Sequence, residues 1–161
     1  MLERWISIDP GGATGWSVWA IDQFDEDMPI TREAFGVVSG GLHGLRERLD
    51  MLMVGIDLVI CESFELDATA APDLTPKLIE GALMLETWRR GLELVFSHRS
   101  QKARVKDEAL KRVDLWITGK PVGWEDGRDV NDSSKHALAH ALDLEADARA
   151  QPTTRWLYPP R

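Results

Sequence analysis

The sequence predicts an α/β fold, a five-stranded mixed sheet flanked by helices on both faces, and three observations carry that expectation. Early apolar segments have the period of two and the β-branched content of strands. From Leu42 onward the apolar spacing switches to 3.6, and strand-like runs then alternate with helical ones. With 161 residues, 43% of them hydrophobic, and no break in composition, one domain is expected over residues 1–150, followed by a tail over 151–161.

Residues 5–9 and 15–21 read as a hairpin closed by a turn of Pro, Gly and Thr. After the polar connection DQFDEDMP, ITREAFGVVSG reads as a third strand ended by Gly40 and Gly41. LHGLRERLDMLMV places Leu42, Leu45, Leu49 and Leu52 on one helical face. DLVICESF is a continuous apolar run of the kind found in strands covered on both sides, and ELDATAAPD follows as a loop. LTPKLIEGALMLETWRRG is helical and closes at Gly91, and LELVFSH is the last strand. SQKARVKDEALKRVDLWI reads as one charged helix and TGKPVGWEDGR as a loop. DVNDSSKHALAHALDLEADARA is the final helix, with an acidic start and Leu138, Leu142 and Leu144 on its apolar side.

Composition narrows the function classes. The single cysteine, Cys61, excludes an internal disulfide and a cysteine-rich zinc site, and its apolar neighbours make it a buried strand thiol. A formal net charge of −8 argues against general attraction to nucleic acid, so any such partner must be held by a local basic patch. No apolar run approaches the roughly 20 residues of a membrane span. MLERWISIDP lacks the order of a signal peptide, so a cytoplasmic protein is expected.

Four carboxylates fall at element ends. Asp9 closes the first strand, Glu62 lies at the end of the first buried strand after the hairpin, and Asp129 and Asp132 open the final helix, three residues apart on one face. Ligands of such sheets gather beyond the carboxyl ends of strands. Taken singly, Asp9 reads equally as a turn former and Asp129 and Asp132 as helix caps. Glu62 is harder to explain structurally, because an unpaired carboxylate in an apolar strand is costly. Grouped, the four would repel unless cations neutralised them, and hard oxygen ligands suit Mg²⁺ or Mn²⁺. Two such ions about 3.5–4 Å apart can activate water and stabilise the leaving oxygen in phosphodiester hydrolysis. His136 and His140 are spaced for zinc, but no glutamate of an HExxH motif accompanies them, which leaves core or surface positions and a secondary site role for His136.

These residues resemble the RuvC-type Holliday-junction resolvases of the ribonuclease H-like superfamily. IDPGGATGW is similar to their first motif, VICESFEL to their second, and GRDVNDSSKHALAHAL to the last helix with its acidic pair, in an order covering residues 5–144. The chain looks like a compact member of the sort common in bacteriophages. The resemblance implies that Asp9, Glu62, Asp129 and Asp132 hold two Mg²⁺ ions, and that the protein is a homodimer nicking two strands of a four-way DNA junction. The turn after Asp9 is one residue shorter than in bacterial resolvases. An alternative alignment of the last helix puts His136 at a ligand position.

HRSQKARVKDEALKRV is the one strong basic stretch, carrying Arg99, Lys102, Arg104, Lys106, Lys111 and Arg112. It reads either as a solvated helix face or as phosphate contacts, and the resembled family has a matching basic segment. Lys106 and Lys111 are the first expected backbone contacts, with Lys102 and Arg104 beside them. In the resembled family an aromatic residue shortly after the glutamate, at a spacing that differs by one, stacks on junction bases, which implies such a wedge role for Phe64 beside the alternative of core packing. Gly81 interrupts a helix, which the close approach of another helix, from this chain or from a dimer partner, would explain. Competing readings are an inactive branched-DNA-binding protein of this fold, a related RNA- or DNA-processing nuclease, and an actin-like ATPase, for which the chain is too short.

Overall fold

The order of the strands places the site. In a computed structural model, which describes residues 2–22, 30–65, 73–118 and 127–146, β1 (Leu2–Asp9), β2 (Ala13–Asp22) and β3 (Ile30–Ser39) form an antiparallel meander. Then come α1 (Gly41–Leu52), β4 (Leu58–Ser63), α2 (Thr75–Arg90) and β5 (Glu93–His98). The chain continues through α3 (Arg99–Lys102), α4 (Asp107–Arg112) and α5 (Arg128–Ala146). The sheet order is β3-β2-β1-β4-β5, with β4 parallel to both β1 and β5. The mixed five-stranded sheet read from the sequence is therefore present. Parts of the expected connections at 23–29, 66–72 and 119–126, the end of the last helix and the tail lie outside the described residues.

Strand alternation sorts the core into two layers. On one face Ile6, Ile8, Val18, Val59 and Cys61 pack against Leu45, Leu49 and Leu52 of α1 and Ile79 and Leu83 of α2. On the other, Trp5, Trp19, Leu58 and Ile60 meet Val105, Leu110, Ala137, Leu138 and Ala141. Trp5 and Ile60 set the parity of their strands, so Asp9 and Glu62, four and two residues further on, face the α5 side. Cys61 is fully buried, and burial pushes its thiol pKa up. Among the described residues no helix is long and apolar enough to cross a membrane.

The expected single helix over residues 100–117 is corrected to two short ones. Lys106 adopts an extended backbone with ψ of 150° and caps α4, while Val105 turns inward into the core at 2% exposure. Asp107 and Glu108 occupy the first turn of α4, where negative charge favours a helix start. They are therefore a start signal inside a stretch that periodicity alone reads as continuous. α4 stops at Asp114, whose φ of 57° no helix continues.

Candidate metal centre

The turn after Asp9 is locked by its own threonine. Thr14 Oγ1 donates to Gly11 O at 3.0 Å and accepts from Gly11 N at 3.3 Å. Gly12 O in turn accepts from Gly40 N and Gly41 N at 3.1 and 2.9 Å, tying the turn to the β3–α1 junction. Asp9 thus leaves a central strand into a fixed turn, which limits the positional error of its carboxylate.

Parallel pairing brings the second carboxylate alongside. Ile8 is in register with Cys61, so Asp9 and Glu62 lie one step beyond the same pair. α5 crosses this edge at very short range because β2 offers a glycine there. A Cβ on Gly15 would lie 2.1 Å from Asp129 O, and Ser17 and Ser133 meet through their hydroxyls at 3.1 Å. Small residues on both surfaces let the helix approach and carry Asp132 and His136 to the strand ends.

The resulting cluster has a defined geometry. Among the described residues, Asp9, Glu62 and His136 place one potential ligand atom each within 4.8 Å of one another. His136 is fully buried, with Nδ1 2.8 Å from Ser97 Oγ on β5. Its Nε2 lies 3.2 Å from Glu62 Oε2 without hydrogen-bonding alignment, and no described group satisfies it. In the tautomer whose Nδ1–H donates to Ser97, Nε2 offers a lone pair to a cation, as in metal-binding histidines held by a second partner; with Nε2 protonated instead, the ring stabilises the Glu62 carboxylate. Lys102 of α3 reaches in between, with Nζ 3.0 Å from Glu62 Oε2 and 3.1 Å from Asp132 Oδ2. Lys135 Nζ joins Asp132 Oδ1 at 3.3 Å to Asp107 Oδ1 at 2.7 Å.

The titration of the cluster shows a shortage of positive charge. Burial, with hydrogen bonding and repulsion from Glu62, pushes the Asp9 carboxyl up to about 9. Burial also works to raise Glu62, but contacts with His136, Asp9 and Lys102 outweigh it and hold that carboxylate well below its usual range. For Lys102, burial works to lower the pKa, and the surrounding carboxylates of Asp9, Asp132 and Glu62 hold it above its ordinary value instead. With Asp9 holding its proton, the two ammonium groups of Lys102 and Lys135 still face three carboxylates, those of Glu62, Asp132 and Asp107. Hard oxygen donors, an unsatisfied buried imidazole nitrogen and this charge deficit together fit a divalent cation.

The expected residues divide by position. Asp9, Glu62 and His136 converge, and Asp132 joins them through Lys102. Asp129 occupies the first turn of α5, three residues earlier, with its backbone against Gly15. His140 lies apart, its ring 5.2 Å from that of Trp5. Lys102, expected at a phosphate, lies between the carboxylates of Glu62 and Asp132, and Arg104 pairs with Asp143. Lys106 is exposed at the cap of α4, and Lys111 stands 4.9 Å over the Trp116 ring. Phe64 lines an open cleft of about 700 Å³ with Asp9, Glu62, His98, Arg99 and Lys102. Sequence reasoning missed Ser97 and Gly15. The strand parity shared by Val95 and Ser97 could have found the first, whereas the second requires knowing which helix lies above it.

No family model matches the sequence, and no curated protein sequence matches it. The folded chain does match solved structures. Thermus thermophilus RuvC superposes with a TM-score of 0.67 at 16% identity, over 92% of this chain and 99% of that one. The fold is RuvC-like, and so ribonuclease H-like. The same TM-score, identity and coverage are found for T. thermophilus RuvC in complex with a Holliday junction substrate. The fowlpox virus Holliday junction resolvase matches with a TM-score of 0.58 at 12% identity, over 88% of this chain and 99% of that one. Its complex with substrate Holliday junction DNA gives 0.60 at 14% identity, over 89% and 99%. In this RuvC-like fold the Asp9–Glu62–His136 cluster lies beyond the carboxyl ends of the two central parallel strands, where sheets of this kind bind ligands.

Proposed function

We propose that the protein is a divalent-metal-dependent endonuclease of a single RuvC-like domain, resolving four-way DNA junctions and related branched DNA as a homodimer. The observation that carries this reading is the convergence of Asp9, Glu62 and the unsatisfied His136 Nε2 at the end of β1 and β4, on a fold shared with two resolvases. Asp9, Glu62 and Asp132, with His136 beside them, would hold Mg²⁺ or Mn²⁺, and Asp129 extends the set at the start of α5. A pair of such ions would supply a water activated for attack and charge stabilisation for the leaving oxygen. Lys102 must yield its contact with Glu62 and Asp132 to such ligation, and its ammonium is then placed to meet a phosphate. Arg99, Lys106 and Lys111 supply further positive charge for the backbone, and Phe64 faces the cleft that would receive unstacked bases. The test is a cleavage panel of four-way junction, fork and linear duplex with Mg²⁺, Mn²⁺ or EDTA. Metal-dependent incision of the junction ahead of the duplex is expected, and cleavage of none of the three would contradict the proposal.

A second reading is favoured by Lys102 itself, because an ammonium lodged between Glu62 and Asp132 suits a metal-free binder of branched DNA. Junction binding that is indifferent to Mg²⁺ and never followed by incision would select it.

Metal binding carries a pH signature. The folded-state pKa of Asp9 is raised from 3.8 to about 9, so the metal-free fold loses stability as pH rises through this window. Asp9 must release its proton to act as a ligand, and does so more readily at high pH. The rise in Tm on adding Mn²⁺ is therefore expected to grow between pH 6 and pH 9. An equal rise at both ends would contradict Asp9 as a ligand.

The proposed homodimer would form through α2. Leu78, Gly81, Leu85 and Trp88 recur at three- and four-residue spacing on its outer face, with Leu78, Leu85 and Trp88 exposed by 55%, 58% and 78%. No atom lies within 4 Å of a Cβ built on Gly81. An apolar stripe of this kind marks a protein contact, and the glycine gives two such helices a crossing point. Leu85→Glu is expected to sediment as a monomer and to make single rather than paired incisions in a junction. A variant that remains dimeric would place the interface elsewhere.

A further inference from the structure

α2 carries a carboxylate on the wrong side for a solvent-facing glutamate. Its inward stripe consists of Pro76, Ile79, Leu83 and Thr87, yet Glu80 lies within it at 8% exposure. A buried charge is costly unless its oxygens are occupied, and here both are. Oε1 accepts the backbone N–H of Phe64 at 2.6 Å, and Oε2 holds Lys77 Nζ at 2.8 Å. Phe64 is the first residue beyond β4, whose last register pairs are Cys61 with Ile8 and Ser63 with His98. Past this point the sheet ladder no longer fixes the chain. Glu80 takes over, adding one strong hydrogen bond two residues after Glu62.

We propose that Glu80 is a positioning residue for the cleavage reaction: through the Phe64 amide it clamps the end of β4, fixing both the carboxylate of Glu62 and the ring of Phe64 at the cleft. The proposal rests on the nuclease reading of the Asp9–Glu62 site. It also gives α2 a second task, because the helix whose outer face carries the self-association stripe holds the catalytic strand end on its inner face. Packing of a second copy against α2 then bears directly on the geometry of Glu62. Glu80 touches neither substrate nor metal in this account and acts only through the backbone.

The test compares wild type with Glu80→Gln, which retains an oxygen acceptor, and with Glu80→Ala and Glu80→Leu, which do not. Two apolar replacements are used so that one packing defect does not decide the outcome. Amide hydrogen exchange in the full-length protein is read first. The Phe64 amide is expected to exchange at least about tenfold faster in the apolar variants, with α2 amides still protected and Glu80→Gln close to wild type. Single-turnover cleavage of a four-way junction is read second. A fall in rate of about 10²-fold is expected in the apolar variants at unchanged junction affinity, with recovery in Glu80→Gln. Wild-type protection of Phe64 in both apolar variants, or wild-type cleavage by either once folded, overturns the proposal. If the wild type itself cuts no DNA, the nuclease reading fails, and the exchange data still decide whether Glu80 clamps the strand end.

Discussion

Asp9→Asn is expected to melt at a higher temperature than the wild type in metal-free buffer and to lose junction cleavage. The two effects share one cause. At pH 7.5 the folded protein keeps a proton on Asp9 that the unfolded chain has released, since burial and Glu62 hold its pKa near 9 against 3.8. The free energy of that proton uptake is lost from stability, and asparagine removes it while filling the same space. A gain on the order of a few kcal/mol is expected, at roughly 2–4 °C in Tm per kcal/mol for a chain of this size. Asparagine brings no negative charge to a cation, so several kcal/mol of transition-state stabilisation disappear, about 10³-fold in rate for about 4 kcal/mol. Differential scanning calorimetry without metal and single-turnover cleavage with Mg²⁺ measure the two effects. A variant that melts lower and cuts normally would show that Asp9 is a turn residue and not a ligand.

Gly15→Ala is expected to damage the site from a distance. The added Cβ would stand 2.1 Å from Asp129 O and 2.2 Å from Asp129 C, in contact with helix backbone that has no rotamer to change. Relief requires the first turn of α5 to lift from β2, at a cost of about 3 kcal/mol as a severe case of overpacking. Asp132 and His136 follow within the next two turns, so the movement reaches the Asp9–Glu62–His136 cluster. Cleavage by protein that is still folded should fall by about 10²-fold, more than a loss of folded population explains. Gly12→Ala, where nothing lies within 4 Å of the new methyl, is the melting control. Wild-type melting and cleavage by Gly15→Ala would refute the close seating of α5 on β2.

Legibility in the sequence follows the range of the interaction that sets each feature. The hairpin, the leucine face of α1 and the burial of Cys61 depend on local periodicity, and each appears where it was expected. Asp9 and Glu62 were visible because polar residues ending apolar strands break a local pattern. That they are neighbours depends on the β1–β4 pairing, which no local signal states. Lys102 reads from the sequence as one of several phosphate-contacting basic residues, because its place among the carboxylates depends on α3, which turns back after β5. The His98–Gln101 capping box makes that turn, and Gln101 and Arg104 anchor it to Asp143 of α5. Glu80 was not legible at all, since a glutamate in a helix is usually exposed and only the fold reveals the Phe64 amide above it. The break between α3 and α4 was written in Asp107 and Glu108, a start signal masked by the charge around it.

Metal-dependent junction cleavage is tested most directly by single-turnover reactions of one end-labelled four-way junction with wild type and with Glu62→Gln, each with Mg²⁺, Mn²⁺ and EDTA. Paired incisions by the wild type are expected with either metal, none in EDTA, and a rate lower by about 10³-fold for Glu62→Gln, whose amide keeps the shape but not the charge of the carboxylate. An uncut junction with both metals, or equal cleavage by wild type and Glu62→Gln, would contradict the nuclease reading.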